Sequence, residues 1–132
     1  MSPPSRRVLV VEDESLILLA LQDALEQVGC EVLLSGTGEE ALRLAGEHMP
    51  DAVVMNIRLP GNLWGPALLG RLRVLAGRPL PAIVASGMKL SEADRREYDL
   101  AGGGPPVGVY LKPYNPDDLA ADMLARLQAL RP

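Results

Sequence analysis

The sequence predicts a doubly wound α/β domain, five parallel strands with five helices packed on both faces, and three observations carry that reading. Short, continuous apolar runs recur five times along the 132 residues, as strands buried on both faces require. Between them lie stretches whose apolar residues are spaced three and four apart, the period of a helix packed along one stripe. Strand and helix alternate throughout, and right-handed crossovers turn that order into one parallel sheet. Composition agrees. Hydrophobic residues make up 48% of the chain and charged ones 23%, while 13 Gly and 12 Pro stay at about a fifth of it, below the low-complexity range. With aromatics at 3% and no Phe, the core must be built from Leu, Val, Ile, Ala and Met.

The first strand is the run 8–11, ended by Glu12-Asp13-Glu14. Over 15–28 the apolar residues Leu18, Leu21, Leu25 and Val28 keep helical spacing and Gly29 stops them; Leu16, Ile17 and Leu19 widen the apolar surface beyond one stripe. The second strand is 32–34. Thr37-Gly38-Glu39-Glu40 then sets a capping box ahead of Ala41, Leu42 and Leu44. Pro50 and Asp51 break the chain before the third strand, 52–55, which has Asn56 at its end; Leu59-Pro60-Gly61 is turn chemistry. A third helix runs from about Pro66 through Leu68, Leu69, Leu72 and Leu75 and is closed by Gly77 and Pro79. The fourth strand, 82–85, ends in Ser86-Gly87, and Ser91 caps a mostly charged fourth helix through Leu100. Its weak apolar face makes it the least firmly packed of the five. After the breaker at 102–106 comes a fifth strand, 107–111, then Lys112-Pro113. Asn115 caps a last helix with Pro116 in its first turn and Leu119, Met123, Leu127 and Leu130 on its inner face.

A net charge of −4 provides no basic stripe for phosphates, so nucleic-acid binding is not expected of this chain. The lone Cys30 excludes an internal disulfide and points to a reducing, cytoplasmic compartment. No apolar run is long enough for a signal peptide or a membrane span. A short tail at 1–6 and a single domain at 7–131 are expected. His48, the one histidine, reads as the end of the second helix, with no second His to complete a site.

In doubly wound folds ligands lie beyond the carboxyl ends of the strands, which directs attention to Glu12, Asp13, Ser35, Asn56, Ser86 and Lys112. Adjacent carboxylates supply hard oxygen ligands for a divalent cation, a hydroxyl donates to a phosphoryl oxygen, and Lys adds a point charge. Singly each is an ordinary polar strand end; together they suit one chemical purpose.

These residues are arranged as in response regulator receiver domains, which the chain resembles over nearly its whole length. Glu12-Asp13-Glu14 after the first strand is similar to the family's acidic pair, and Met55-Asn56-Ile57-Arg58-Leu59-Pro60-Gly61 to its phosphoacceptor loop. Ala85-Ser86-Gly87 stands where the family keeps its switch Ser or Thr, and Leu111-Lys112-Pro113-Tyr114 resembles its Lys-Pro signature. The resemblance implies a flavodoxin-like sheet of the receiver type in a two-component phosphorelay. It also implies Mg²⁺ held by Glu12, Asp13, position 56 and the backbone carbonyl of Arg58, and support of the acceptor by Ser86 and Lys112. The partner it implies is a sensor histidine kinase or a histidine phosphotransfer protein, docked on the first helix at Leu16 and Leu19. A homodimer through the fourth helix, fifth strand and last helix is a further implied contact. The module is not an enzyme in its own right.

The departures are specific. The family's nucleophile is Asp, and Asn56 is a poor nucleophile that forms no acyl phosphate, so phosphorylation at position 56 is not expected. Losing one anionic ligand also weakens Mg²⁺ binding. The switch aromatic usually stands three residues before the lysine, at Val109, whereas Tyr110 is offset by one and faces the other side of its strand. Trp64 adds a large apolar group before Gly65, as ordinary packing against the third helix or as a partner contact.

Two origins fit Asn56: a natural, phosphorylation-independent receiver, favoured by the departures at Trp64, Val109 and 102–106, or an engineered Asp-to-Asn form of an ordinary one. A rival of another class is a nucleotide-binding α/β enzyme, since Gly36-Thr37-Gly38-Glu39-Glu40-Ala41 fits the dinucleotide pattern between a strand and a helix. It follows the second strand instead of the first, and the next strand ends without an acidic residue for a ribose.

Overall fold

The computed structural model describes residues 6–57, 65–100 and 104–129. The elements are β1 (Arg6–Val11), α1 (Ser15–Gln27), β2 (Cys30–Ser35), α2 (Gly38–Glu47), β3 (Ala52–Asn56), α3 (Gly65–Ala76), β4 (Ala82–Ser86), α4 (Glu92–Leu100), β5 (Gly108–Leu111) and α5 (Pro116–Ala129). All five strands are parallel, in the order β2-β1-β3-β4-β5. The chain therefore starts near the middle of the sheet and winds outward both ways, a flavodoxin-like topology.

Side-chain alternation divides the core. Leu9, Val11, Val53 and Met55 face α2, α3 and α4, meeting Ala41, Leu68, Leu72 and Tyr98. Val8, Val10 and Val54 face α1 and α5, meeting Leu21, Leu25, Leu119 and Met123. β1, β3 and β4 are buried on both sides, while the edge strands β2 and β5 are only partly covered.

The helix boundaries rest on the residues that the sequence marks. The Thr37 hydroxyl accepts the Glu40 amide at 3.1 Å, the hydroxyl half of the capping box. Ser91 and Asp94 close a reciprocal box, each side chain accepting the other's amide at 3.0 Å, and Asn115 Oδ1 accepts the Asp117 amide at 2.8 Å. Gly29 and Gly77, with φ of 91° and 70°, take left-handed turns after α1 and α3. His48 caps the C-terminal end of α2 and is exposed.

Some boundaries differ from expectation. β1 begins at Arg6 and β2 at Cys30, pairing as Arg6↔Cys30 and Arg7↔Glu31. These residues lack the apolar signature because charge holds them: Arg7 Nε pairs with Glu31 at 3.2 Å, and the Arg7 amide donates to Asp51 at 2.8 Å. β3 extends to Asn56 and β4 to Ser86, each by a polar residue that pairs across the strand end. α4 has one buried residue, Tyr98, as its charged composition predicts. Arg58, Trp64, the turn at Leu59-Pro60-Gly61, Leu130 and part of the 102–106 breaker lie outside the described residues. Among the described residues no helix is long and apolar enough to cross a membrane.

Candidate functional site

Topology brings the polar strand ends together because β1, β3, β4 and β5 are parallel neighbours, and their carboxyl ends open on one edge. Glu12 follows β1 and is 2% exposed, held by its amide to the Ser35 carbonyl at 3.0 Å. Its Oε1 accepts from Lys112 Nζ at 2.8 Å. Its Oε2 accepts the Glu14 amide at 3.1 Å and lies 3.5 Å from Asn56 Nδ2. A carboxylate removed from water is costly unless it is paired and hydrogen-bonded, and these donors from three elements meet that need. Lys112 is in turn fixed by its amide to the Ser86 carbonyl at 2.8 Å.

Asn56 changes the meaning of this cluster. A carboxylate at position 56 would face Glu12 Oε2 across 3.5 Å and repel it; the amide offers an N–H instead. The cleft beside it, about 260 Å³, is lined by Asn56, Ser86 and Lys112 together with Glu14, Lys89 and Asp94. Ser86 is buried and its Oγ accepts the Met88 amide at 3.2 Å.

Sequence reading placed Glu12, Asn56, Ser86 and Lys112 at this edge, and they converge there. Asp13 is exposed and is not among the cleft-lining residues. Ser35 is occupied elsewhere, its hydroxyl donating to the Val10 carbonyl at 3.0 Å. Val109 and Tyr110 fall on opposite faces of β5. Val109 packs beside Tyr98 on the α2–α4 side, whereas the Tyr110 hydroxyl donates to Asp122 of α5 at 2.9 Å. Glu14, Lys89 and Asp94 were missed. Glu14 belongs to the acidic triplet and comes within 3.7 Å of Lys112 Nζ, a signal the sequence carried. Lys89 arrives through the β4–α4 connection and Asp94 on the first turn of α4, places that strand-end logic does not reach.

A second groove adjoins the cleft. It holds about 460 Å³ between α1 and the β5–α5 connection, and its walls include Leu16, Ile17, Ala20, Pro113, Tyr114 and Pro116. Glu14 and Lys112 line both cavities. Leu16 is 84% exposed and Leu19 55%. The buried Tyr114 hydroxyl has no partner among the described residues. It is pushed up to about 12, first by burial and then by the charges of Glu12 and Glu14.

For a divalent cation the donor set fits in kind: the carboxylates of Glu12 and Asp13 and the side-chain carbonyl of Asn56 are hard oxygens. Among the described residues, no group of three or more His, Cys, Asp or Glu side chains is placed to hold a metal. Lys112 supplies positive charge that a cation would otherwise bring to Glu12, and the neutral Asn56 amide offers it an N–H.

The family model described as the response regulator receiver domain matches residues 8–123. The chain belongs to that family. This receiver is 37% identical over 126 residues to the transcriptional regulatory protein PrrA of Mycobacterium tuberculosis, covering 96% of this chain and 50% of that one. It is 38% identical over 122 residues to KdpE of the same species, covering 92% and 49%. The receiver thus spans about half the length of these curated relatives. Among solved structures, a CheY-like receiver domain protein from Methanospirillum hungatei superposes with a TM-score of 0.82 at 26% identity, covering 96% of both chains. A two-component response regulator from Clostridium difficile, at 20% identity with a TM-score of 0.82 over 97% of this chain and all of that one, shares the fold. The receiver is thereby a signalling module of two-component systems, and that membership displaces the dinucleotide-binding reading. Within Gly36–Ala41, Thr37 instead caps α2, which begins at Gly38.

Proposed function

We propose that this receiver signals through protein contacts without phosphorylation at position 56. The observation that carries the reading is Asn56 itself, an amide at the carboxyl end of β3, 3.5 Å from the Glu12 carboxylate that Lys112 already neutralises. An amide nitrogen is delocalised into its carbonyl and forms no acyl phosphate. The buried Glu12 carboxylate is nevertheless paired with Lys112 and hydrogen-bonded in this state, as a carboxylate removed from water requires. A natural Asn and an engineered Asp-to-Asn change give the same chemistry at this position.

Where Mg²⁺ binds, Glu12, Asp13 and Asn56 are the side chains that would hold it, with the Arg58 carbonyl as a fourth donor, and the ion would supply positive charge for a phosphoryl or carboxylate oxygen. Ser86 and Lys112 would orient such an oxygen. The partner surface is the apolar groove along α1, and the chemistry that suits it is a helix of a histidine kinase or phosphotransfer protein. A helix laid on Leu16 and Ala20 has its end beside Lys112, because the groove and the pocket share Glu14 and Lys112. A homodimer through α4, β5 and α5 is a further proposed contact, consistent with exposed Leu100, Val107 and Leu111. The cytoplasm is the proposed location.

The test is transfer from acetyl phosphate in Mg²⁺ to this chain and to Asn56→Asp. Label is expected on the variant alone, and Mg²⁺ titration followed by amide NMR shifts is expected to show tighter binding to the variant. Label on the unmodified chain would identify another acceptor and end this reading.

A further inference from the structure

α3 is a surface helix without a polar face. Of its residues only Arg71, Val74 and Leu75 are exposed, Val74 to 82% and Leu75 to 48%, whereas a helix packed on a sheet ordinarily turns charged residues to solvent. Beside this apolar ridge runs a groove of about 600 Å³ between α2 and α3, walled by Leu42 and Gly46 from α2 and by Ala67, Gly70, Arg71 and Val74 from α3. It is larger than the cleft at Asn56 and shares no residue with it. Exposed apolar surface gathered in one patch marks a protein contact.

The fold itself gives no reason for glycine at position 46. A Cβ placed on Gly46 meets nothing within 4 Å, and glycine is among the poorest helix formers. A larger residue there would fill the groove without disturbing the packing of the chain.

Charge indicates what enters. Within α2, Glu39, Glu40 and Glu47 outnumber Arg43, whereas α3 contains Arg71 and Arg73 and no acidic residue. Arg73 is buried and donates to the Leu80 and Gly104 carbonyls at 3.1 and 2.6 Å. Arg71 stays exposed at the groove, with no ion-pair or hydrogen-bond partner among the described residues. On α2, Glu47 pairs with Arg43 at 3.2 Å between exposed side chains, a contact of little strength and readily exchanged. An acidic helix and a basic helix bordering one groove, with an apolar ridge on its rim, make a patch complementary to itself. A two-fold axis lays α2 of each copy over α3 of the other, the isologous arrangement of most homodimers.

We propose that the α2–α3 face is a contact between two copies of this chain, the Val74–Leu75 ridge of each seated in the groove of the other and Arg71 facing the acidic α2 of the other copy. This contact involves neither position 56 nor a phosphoryl group, and it uses other elements than the α4–β5–α5 contact proposed above. The readings therefore fail separately.

Sedimentation equilibrium of the full chain, from micromolar to millimolar concentration, is expected to show a rise to twice the mass of one chain. Val74→Glu, at a position exposed in the single chain, is expected to weaken association about tenfold or more while the urea midpoint stays unchanged. Gly46→Gln is expected to weaken it as well, and to unfold at the same or a higher temperature. Arg71→Glu and Glu47→Lys are each expected to lower self-association, and an equimolar mixture of the two to regain it, because the mixed pair restores opposite charges across the interface. Leu100→Glu, on the α4 side, is expected to leave the dimer intact. The proposal is overturned if the chain stays monomeric throughout, if the dimer persists in Val74→Glu or Gly46→Gln, if the mixture associates no better than its components, or if Leu100→Glu disrupts the dimer.

Discussion

α1 and α4 flank the same pocket from opposite faces of the sheet, and they are held in opposite ways. α1 buries Leu21, Ala24 and Leu25 against the sheet and α5. α4 buries Tyr98 alone and owes its start to the Ser91–Asp94 box. The division extends into the site. Glu12 and Lys112, bonded at 2.8 Å, follow directly on β1 and β5, whereas Lys89 and Asp94 ride on the loosely anchored side. Moving α1 requires reopening a core, while moving α4 requires shifting one ring, so a partner docked on α1 as proposed would meet the more firmly held of the two helices.

The largest effect expected from this contrast is on the α1 side. Leu25 is fully buried, and Leu25→Ala removes its packing and leaves a cavity, a loss of about 3 kcal/mol. Urea unfolding should show it as one lower midpoint shared by circular dichroism and tryptophan fluorescence. The corresponding change on the other side is smaller and local. Ser91→Ala removes the cap of α4 at a cost of about 1 kcal/mol, which should appear as faster amide exchange over residues 92–100 with the global midpoint almost unmoved. A global drop for Ser91→Ala as large as the local one would show that α4 is part of the cooperative core and would erase the distinction.

How legible each side was in the sequence follows the same physics. Strands buried on both faces announce themselves, since Val8 to Val11 and the runs of β3 and β4 have no polar face to confuse the reading. Edge strands do not. Cys30 and Glu31 belong to β2 because they pair with Arg6 and Arg7, and a pairing partner is invisible to local hydrophobicity. The site residues at strand ends, Glu12, Asn56, Ser86 and Lys112, could be listed because doubly wound topology says where strand ends go. Lys89 and Asp94 could not, because their place depends on how the β4–α4 connection folds back. Tyr98 was overlooked for a related reason: one aromatic in Glu-Ala-Asp-Arg-Arg-Glu-Tyr-Asp-Leu leaves almost no stripe to detect, although a lone aromatic in a charged helix is itself the signature of a single anchor.

The smallest effect at ordinary pH, and the one that sharpens the contrast chemically, comes from the tyrosines of the α1–α5 side. Tyr110 and Tyr114 meet edge to face with ring centroids 6.0 Å apart. Burial, the hydrogen bond to Asp122 and the charges of Asp122 and Asp118 push Tyr110 up to about 12 from an ordinary 10.0. Burial, then Glu12 and Glu14, do the same for Tyr114. A phenol whose folded value is raised favours its neutral form in the fold, so the associated stability is complete below pH 10 and drains away as pH rises from about 10 through about 12. Urea midpoints should therefore be level near pH 9 and fall toward pH 11, with less fall in Tyr114→Phe and Tyr110→Phe, which cannot ionise. Because Glu12 and Glu14 help to raise Tyr114, Glu14→Gln should also shrink the fall. That variant ties the alkaline response to the charged end of the pocket, where the groove along α1 begins; equal slopes in all these variants would place the response elsewhere in the fold.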